Sequence, residues 1–455
     1  MSSLNDSISI EHIDYLQRTH VDLNRQSIES SPTQAPPALR RLCHVTGVGR
    51  VQKQPPARNE LQPGVPIRLP SEDIITGAFG YKIKLAFLVR GWPGKIAVYV
   101  GNWSSQNHNN DRVQDLDFHQ EILKSALQSL YPAITAVPAK AELADLPLAG
   151  LALGMPTIKP SDPTDGAVAL DRLIRAMSGT NWAYLVLAEP LAEDVTSGQR
   201  NRIIEEMRIV QAAGESAQAP LPLLDHYTEL LQTALKAFSL GLSMGMWRTA
   251  VYLLGDRISY HRLASLWRGI HAGDKSLPEP VTIWHTATTL KLATNWAMPE
   301  ASLYTTVPGR YKHLTAFQTL LTSKQLSAFM HLPEIETSGF AVNIIPAFDT
   351  VPPSKDSGSA IDLGHVILGT RPISQSYAFS HNDLTRHVFV AGVTGAGKTH
   401  TIFQLLKQVQ HAGVPFLVIE PSKAEYRSLL NDGQLADRLQ VFTLGNERIS
   451  PFRLN

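Results

Sequence analysis

His387-Val388-Phe389-Val390-Ala391-Gly392-Val393-Thr394-Gly395-Ala396-Gly397-Lys398-Thr399 is the stretch that decides the fold of the C-terminal region. Its last eight residues match the pattern GxxxxGK[ST] in full. The first five form an apolar, β-rich run that stops at the first glycine. Ile402, Leu405, Leu406 and Val409 then follow with helical spacing. Strand, loop and helix thus occur in the order that a phosphate-binding loop requires. Such a loop must turn several backbone N–H groups inward, and side chains at the turning points would obstruct it. Glycines at 392, 395 and 397 meet that need. The following helix is expected to aim its free N–H groups and positive dipole end at the phosphates of ATP. Lys398 is expected to reach the β- and γ-phosphates, and the Thr399 hydroxyl to ligate Mg²⁺. The expected nucleotide site is therefore Gly392, Val393, Thr394, Gly395, Ala396, Gly397, Lys398 and Thr399.

Further along, Val414-Pro415-Phe416-Leu417-Val418-Ile419 reads as a fully buried parallel strand. Glu420 lies at its C-terminal end, where ligands approach open α/β sheets, so it is expected to position Mg²⁺ or water. With Lys398 it forms the expected catalytic pair. Lys423 and Glu425 are charged groups expected near the phosphates, at a subunit boundary, or simply solvated. Leu439 to Leu444 supplies a third strand, followed by the turn Gly445-Asn446-Glu447.

Arg386 to Thr399, together with Phe416-Leu417-Val418-Ile419-Glu420-Pro421-Ser422-Lys423-Ala424-Glu425-Tyr426-Arg427, resembles the HerA/FtsK superfamily, and bacterial HerA-like ATPases in particular. Thr443-Leu444-Gly445-Asn446 and Pro451-Phe452-Arg453-Leu454-Asn455 resemble the passage from the third motor strand into an Asn-Pro turn. Upstream, the α/β regions and Leu332 to Phe340 are loosely similar to the N-terminal portions of conjugative type IV secretion ATPases. The resemblance implies a RecA-like P-loop NTPase core with a parallel sheet. It also implies a homo-hexameric ring that hydrolyses ATP between subunits and moves DNA or protein. The family's Walker B acid and arginine finger would lie on later strands or a neighbouring subunit. Neither is found in the residues that follow the loop, which implies a motor domain cut short after its third strand.

Composition constrains the rest. The 41 basic and 40 acidic residues nearly cancel, so a nucleic-acid partner would need a local cluster or a channel built by several subunits. Cys43 is the only cysteine, which excludes intrachain disulfides and thiolate-rich metal sites and fits a cytoplasmic location. The N-terminus lacks a basic start with an apolar core. The longest apolar stretch, from Ala234 to Leu254, is interrupted by Lys236 and Arg248, so no transmembrane helix is expected.

The expected organisation is α/β, with N-terminal α+β regions ahead of an incomplete RecA-like domain. Residues 1–65, punctuated by Pro32, Pro36, Pro37, Pro55 and Pro56, read as a loosely ordered lead-in. A first α/β region, 66–213, opens with a hairpin around Trp92-Pro93-Gly94 and includes a strand Trp182 to Leu187 and a helix Gln199 to Gln211. Gly214 to Pro222 reads as a linker to a second region, 220–350. Its strands are Trp247 to Leu254 and Pro280 to Trp284, and its amphipathic helix, Ser259 to Ile270, turns Arg257, His261 and Arg268 outward. Val351 to Ser359 reads as a second linker, and 360–455 as the ATPase domain.

Three functions follow as expectations. The first is an ATP-driven DNA translocase or helicase. The second is an ATPase acting with a protein partner, such as a nuclease or a secretion or phage-defence component. The third is a module that binds ATP without turning it over. No HExxH, GxSxG or paired-cysteine motif offers another chemistry.

Overall fold

The computed structural model describes residues 39–52, 70–104, 110–158, 168–215, 222–277, 279–299, 317–346, 360–368, 371–421, 425–433, 435–443, 448 and 450–452. The chain divides into two compact units, Met1–Ala347 and Phe348–Asn455. The expected linker 351–359, most of the lead-in, Lys423 and the turn 445–447 lie outside the described residues.

The first unit is built on a ten-stranded sheet. Its strands are β1 (Leu39–Gln52), β2 (Leu85–Trp92), β3 (Lys95–Ser104), β4 (Thr135–Ala139), β5 (Leu148–Leu153), β6 (Trp182–Pro190), β7 (Met246–Gly255), β8 (Thr282–Trp284), β9 (Thr319–Thr322) and β10 (Ala341–Pro346). They run in the order β10-β1-β3-β2-β6-β7-β5-β8, with β4 beside β1 and β9 beside β7. Among the described strands of this unit β1 and β10 pair in parallel and the other pairings are antiparallel. The hairpin expected at Trp92-Pro93-Gly94 joins β2 to β3, with Trp92 opposite Lys95 and Gly94 at φ +98°. That left-handed angle is why glycine ends the two-residue turn.

Two expectations change here. Residues 39–52, assigned by their surroundings to the loosely ordered lead-in, form a strand inside the sheet, with Leu42, Cys43, Val45 and Val48 buried. The regions 66–213 and 220–350 share one sheet: β6 pairs with β7 from Trp182 opposite Gly255 to Pro190 opposite Trp247. Of the expected linker 214–222, residues 214 and 215 end one helix, α4 (Glu193–Glu215), Pro222 opens the next, α5 (Pro222–Met244), and 216–221 lie outside the described residues. The contact of the two helices buries Ile203, Val210, Leu231, Ala234 and Phe238.

Both faces of the central strands are covered, which explains why their sequences alternate so poorly. Phe87, Val89, Tyr184, Val186, Val251 and Leu253 enter one core. Ala86, Leu88, Ala183, Leu185, Leu187, Ala250, Tyr252 and Leu254 enter the other. Side chains still point alternately up and down, but both directions lead to apolar surroundings. The amphipathic helix of the second region spans Arg257–His271 (α6, after α1 Pro70–Gly80, α2 Asn110–Leu130 and α3 Ala169–Ala176). It buries Leu263 and Trp267 and leaves Arg257, His261 and Arg268 exposed. Helices α7 (Ala287–Asn295) and α8 (Ser323–Ser327) complete the unit. No helix among the described residues is long and apolar enough to cross a membrane.

Among its described residues the second unit contains an antiparallel hairpin of β11 (Ala360–Leu368) and β12 (Arg371–Ser380), one α-helix, α9 (Lys398–His411), and short 3-10 turns. Gln408 fastens the helix to the hairpin: its amide oxygen accepts from the Asp362 N–H at 2.7 Å and its amide nitrogen donates to the Asp362 carbonyl at 2.6 Å. A small core gathers Leu406, Leu429 and Leu435, with Ile402, Phe403, Phe416, Val418, Tyr426 and Leu439 against it.

The expected parallel sheet is not seen among the described residues of this unit. Residues 387–391 and 414–419 carry no ladder among the described residues, and the third expected strand contributes only the parallel bridge Thr443–Pro451. In 414–419 the side chains nevertheless alternate: Phe416 and Val418 pack inward, while Leu417 is 85% and Ile419 78% exposed. Phe389 is 92% exposed. One face of 414–419 is thus uncovered, and in 387–391 the neighbouring side chains Val388 and Phe389 are both exposed; a ladder needs a neighbour in register as well as an apolar sequence.

Candidate nucleotide-binding site

The loop Gly392–Thr399 precedes and opens α9, and its backbone explains its glycines individually. Gly395 and Gly397 have φ of +83° and +90°, in the left-handed region that residues with a Cβ rarely enter. A Cβ at either would meet nothing within 4 Å, so conformation rather than space demands glycine there. At Gly392 space matters, because a Cβ would lie 3.2 Å from that of Ala396 and 3.5 Å from Lys398 Cγ. The Ala396 N–H closes the loop onto the Val393 carbonyl at 3.1 Å.

Gly397 is the N-cap of α9, and the first helical bond runs from the Thr401 N–H to the Gly397 carbonyl at 2.9 Å. The N–H groups of Lys398, Thr399 and His400 therefore precede the helical ladder and project from its positive end. The Lys398 ammonium folds back over the loop, donating to the carbonyls of Gly392 at 2.7 Å and Val393 at 2.8 Å. A lysine ammonium, a row of backbone donors and two left-handed glycines together suit a polyphosphate.

The Thr399 hydroxyl donates to Glu425 Oε2 at 3.1 Å. Glu425 opens a short 3-10 turn, Glu425–Asn431, that runs along one face of α9. Thr399, Phe403 and Leu406 stand at i, i+4 and i+7 on the helix. Opposite them, Glu425 takes the threonine hydroxyl, Tyr426 meets Phe403 edge to face at 5.2 Å, and Leu429 joins the core around Leu406. Glu420 Oε2 accepts from the Tyr426 N–H at 3.3 Å. Burial, followed by the charges of Glu420 and Glu425, pushes the Tyr426 phenol above its ordinary value.

The structure thus gathers Gly392 to Thr399 at one helix end and adds Glu425 beside Thr399. It places the Glu420 carboxylate on the backbone of Tyr426. The specific pairing of Glu425 with Thr399 was missed from sequence, because 26 residues separate them and no periodic pattern links them. Among the described residues, no group of three or more His, Cys, Asp or Glu side chains is arranged to hold a metal by itself. A cation at this site would instead combine the Thr399 oxygen with oxygens of the nucleotide and water, as small hard cations do.

Residues 361–455 match the family model of the helicase HerA central domain. This match supports a HerA-like P-loop ATPase region, and it contains the loop, Glu420 and Glu425. No curated protein matches the chain. Residues ahead of Ile361, including the whole ten-stranded sheet, lie outside the matched segment.

Proposed function

We propose that residues 361–455 bind ATP with Mg²⁺ and form the nucleotide-binding part of a HerA/FtsK-like motor that acts on DNA. The observation that carries this reading is the loop itself: glycines held at positive φ, three helix N–H groups beyond the ladder, and Lys398 within reach. In the proposed mechanism Lys398 exchanges the carbonyls of Gly392 and Val393 for β- and γ-phosphate oxygens. The N–H groups of Lys398 and Thr399 orient the phosphates, and Thr399 offers a hydroxyl oxygen to the metal. Bound Mg²⁺ supplies neutralisation of phosphate charge. Glu420 is the proposed acid that positions water, acting when its carboxylate leaves the Tyr426 N–H. The working form is proposed to be a cytoplasmic homo-hexamer, with DNA as cargo.

Titration of the full chain with ATP and ADP tests the binding step. Lys398→Ala removes one charge-assisted contact, worth about 1.5–3 kcal/mol, so affinity should fall about 10- to 100-fold. Equal affinity in the variant, or no binding by the wild type, would refute the assignment. DNA stimulation of phosphate release separates a DNA motor from one with a protein partner, such as a nuclease or a secretion or defence component.

The contact between Glu420 and Tyr426 also favours a second reading, in which this chain binds ATP without turnover. Tight binding with no phosphate release is its signature; robust release excludes it.

A further inference from the structure

The hydroxyl of a threonine has one proton and two lone pairs. If Thr399 gives a lone pair to Mg²⁺, its proton must be donated elsewhere, and the structure already provides the acceptor. Glu425 Oε2 lies 3.1 Å from Thr399 Oγ1. The carboxylate is steadied from the next residue, since the Tyr426 ring packs on Phe403 one turn further along α9 and its N–H is held by Glu420. Leu429, buried in the core with Leu406, anchors the same turn.

We infer that Glu425 is a positioning residue for the metal of the bound nucleotide: it accepts the Thr399 proton, aims the Thr399 lone pair at Mg²⁺, and adds negative charge beside it. The inference rests on the nucleotide reading above and deepens it. It assigns the acid nearest the cation to the turn that follows residues 414–420. Before turnover, while its carboxylate still holds the Tyr426 N–H, Glu420 supports the same arrangement at one remove. Partners that orient a metal ligand typically contribute 10- to 100-fold in metal affinity.

The test uses the full chain and measures ADP affinity across a range of Mg²⁺ concentrations, with a parallel titration in EDTA. For Glu425→Ala the Mg²⁺ concentration giving half of the metal-dependent gain should rise about 10- to 100-fold. ADP affinity in EDTA should match the wild type. Glu425→Gln keeps an acceptor oxygen without the charge and should fall between the two. Thr399→Ala should lose the Mg²⁺ effect entirely. An unchanged Mg²⁺ dependence in Glu425→Ala overturns the inference, as does an equal loss of ADP affinity with and without metal, which a purely structural role would give. A wild-type chain that binds no ADP refutes the nucleotide reading itself, so the two failures are distinguishable.

Discussion

Gly397 and Gly413 bracket helix α9, and both take left-handed backbone angles, φ +90° and +76°. A Cβ at either position meets nothing within 4 Å, so alanine would introduce backbone strain and no collision. That strain is about 1–2 kcal/mol at each site. The consequences should differ, because the two glycines serve different ends of the helix. Gly413 completes the C-terminal cap, where its N–H reaches the Gln410 carbonyl at 2.9 Å and the next N–H returns to Val409 at 3.1 Å. Gly413→Ala should therefore lower the unfolding free energy of the second unit by about 1 kcal/mol and leave nucleotide affinity alone. Gly397 is the N-cap of α9 inside the phosphate loop, so a Cβ there opposes the backbone that the phosphates require. Gly397→Ala should weaken ADP binding by about 5- to 30-fold, which is the same 1–2 kcal/mol expressed as affinity. The sites flank opposite ends of a 14-residue helix that is about 21 Å long at about 1.5 Å per residue, so neither substitution should disturb the other. Calorimetric ADP titration and urea unfolding of the full chain measure the two quantities. Equal loss of affinity in both variants would refute the reasoning, as would unchanged affinity in Gly397→Ala.

Two further outcomes concern the first unit. His331 is fully buried, and burial lowers its pKa from 6.5 to about 4 against a weaker opposing contact with the Leu332 carbonyl. The folded state then refuses a proton that the unfolded chain accepts, so this contribution is intact above pH 6.5 and is lost as pH falls toward 4. Between pH 7 and 5 it should remove about 2 kcal/mol of stability. His331→Phe should remove that part of the slope in urea unfolding, and an unaltered slope would count against it. Glu189, on β6, sits between Lys84, just ahead of β2, and Arg248 on β7. Burial raises its pKa, but those two partners outweigh burial and hold the carboxyl below its ordinary value. Its stabilisation is therefore present above the unfolded carboxylate pKa and lost as pH falls through the folded one. Glu189→Ala leaves two cations unpaired and should cost about 3 kcal/mol, near the low end for a buried pair because both cations are 28% exposed. A chemical denaturation midpoint within error of the wild type would contradict this.

What was legible in the sequence was local. The loop keeps its chemistry in eight contiguous residues, and the helix after it has its own apolar spacing, so both could be read without knowing any distant partner. The β2–β3 hairpin was equally accessible, because Pro93 and Gly94 specify its turn. The single sheet of the first unit was not accessible in this way. Its seam joins β6 to β7, with Trp182 opposite Gly255, and nothing near either residue names the other. Burial on both faces removed the alternation that would have marked the strands, and the prolines flanking 39–52 concealed β1. The second unit presents the converse case. Residues 387–391 and 414–419 are apolar enough for a buried strand, yet pairing depends on a neighbour supplied from elsewhere, and apolar character alone cannot provide one.

The same distinction separates the two acids. Glu420 drew attention because ligands approach the C-terminal ends of parallel strands, an argument that presumes the sheet. Glu425 owes its position to a different and more local cause. The face of α9 carrying Thr399, Phe403 and Leu406 at helical spacing accepts Glu425, Tyr426 and Leu429 along its length. The apolar contacts fix the register of the turn against the helix, and that register leaves a carboxylate opposite the threonine hydroxyl. A substitution that weakens the apolar part, such as Leu429→Ala, should therefore loosen the Glu425 contact without touching either polar group. It should raise the Mg²⁺ requirement for ADP binding in the direction of Glu425→Ala. If Leu429→Ala lowers stability but leaves the Mg²⁺ dependence unchanged, the packing does not set the polar contact, and the proposed chain from core to cation breaks at that link.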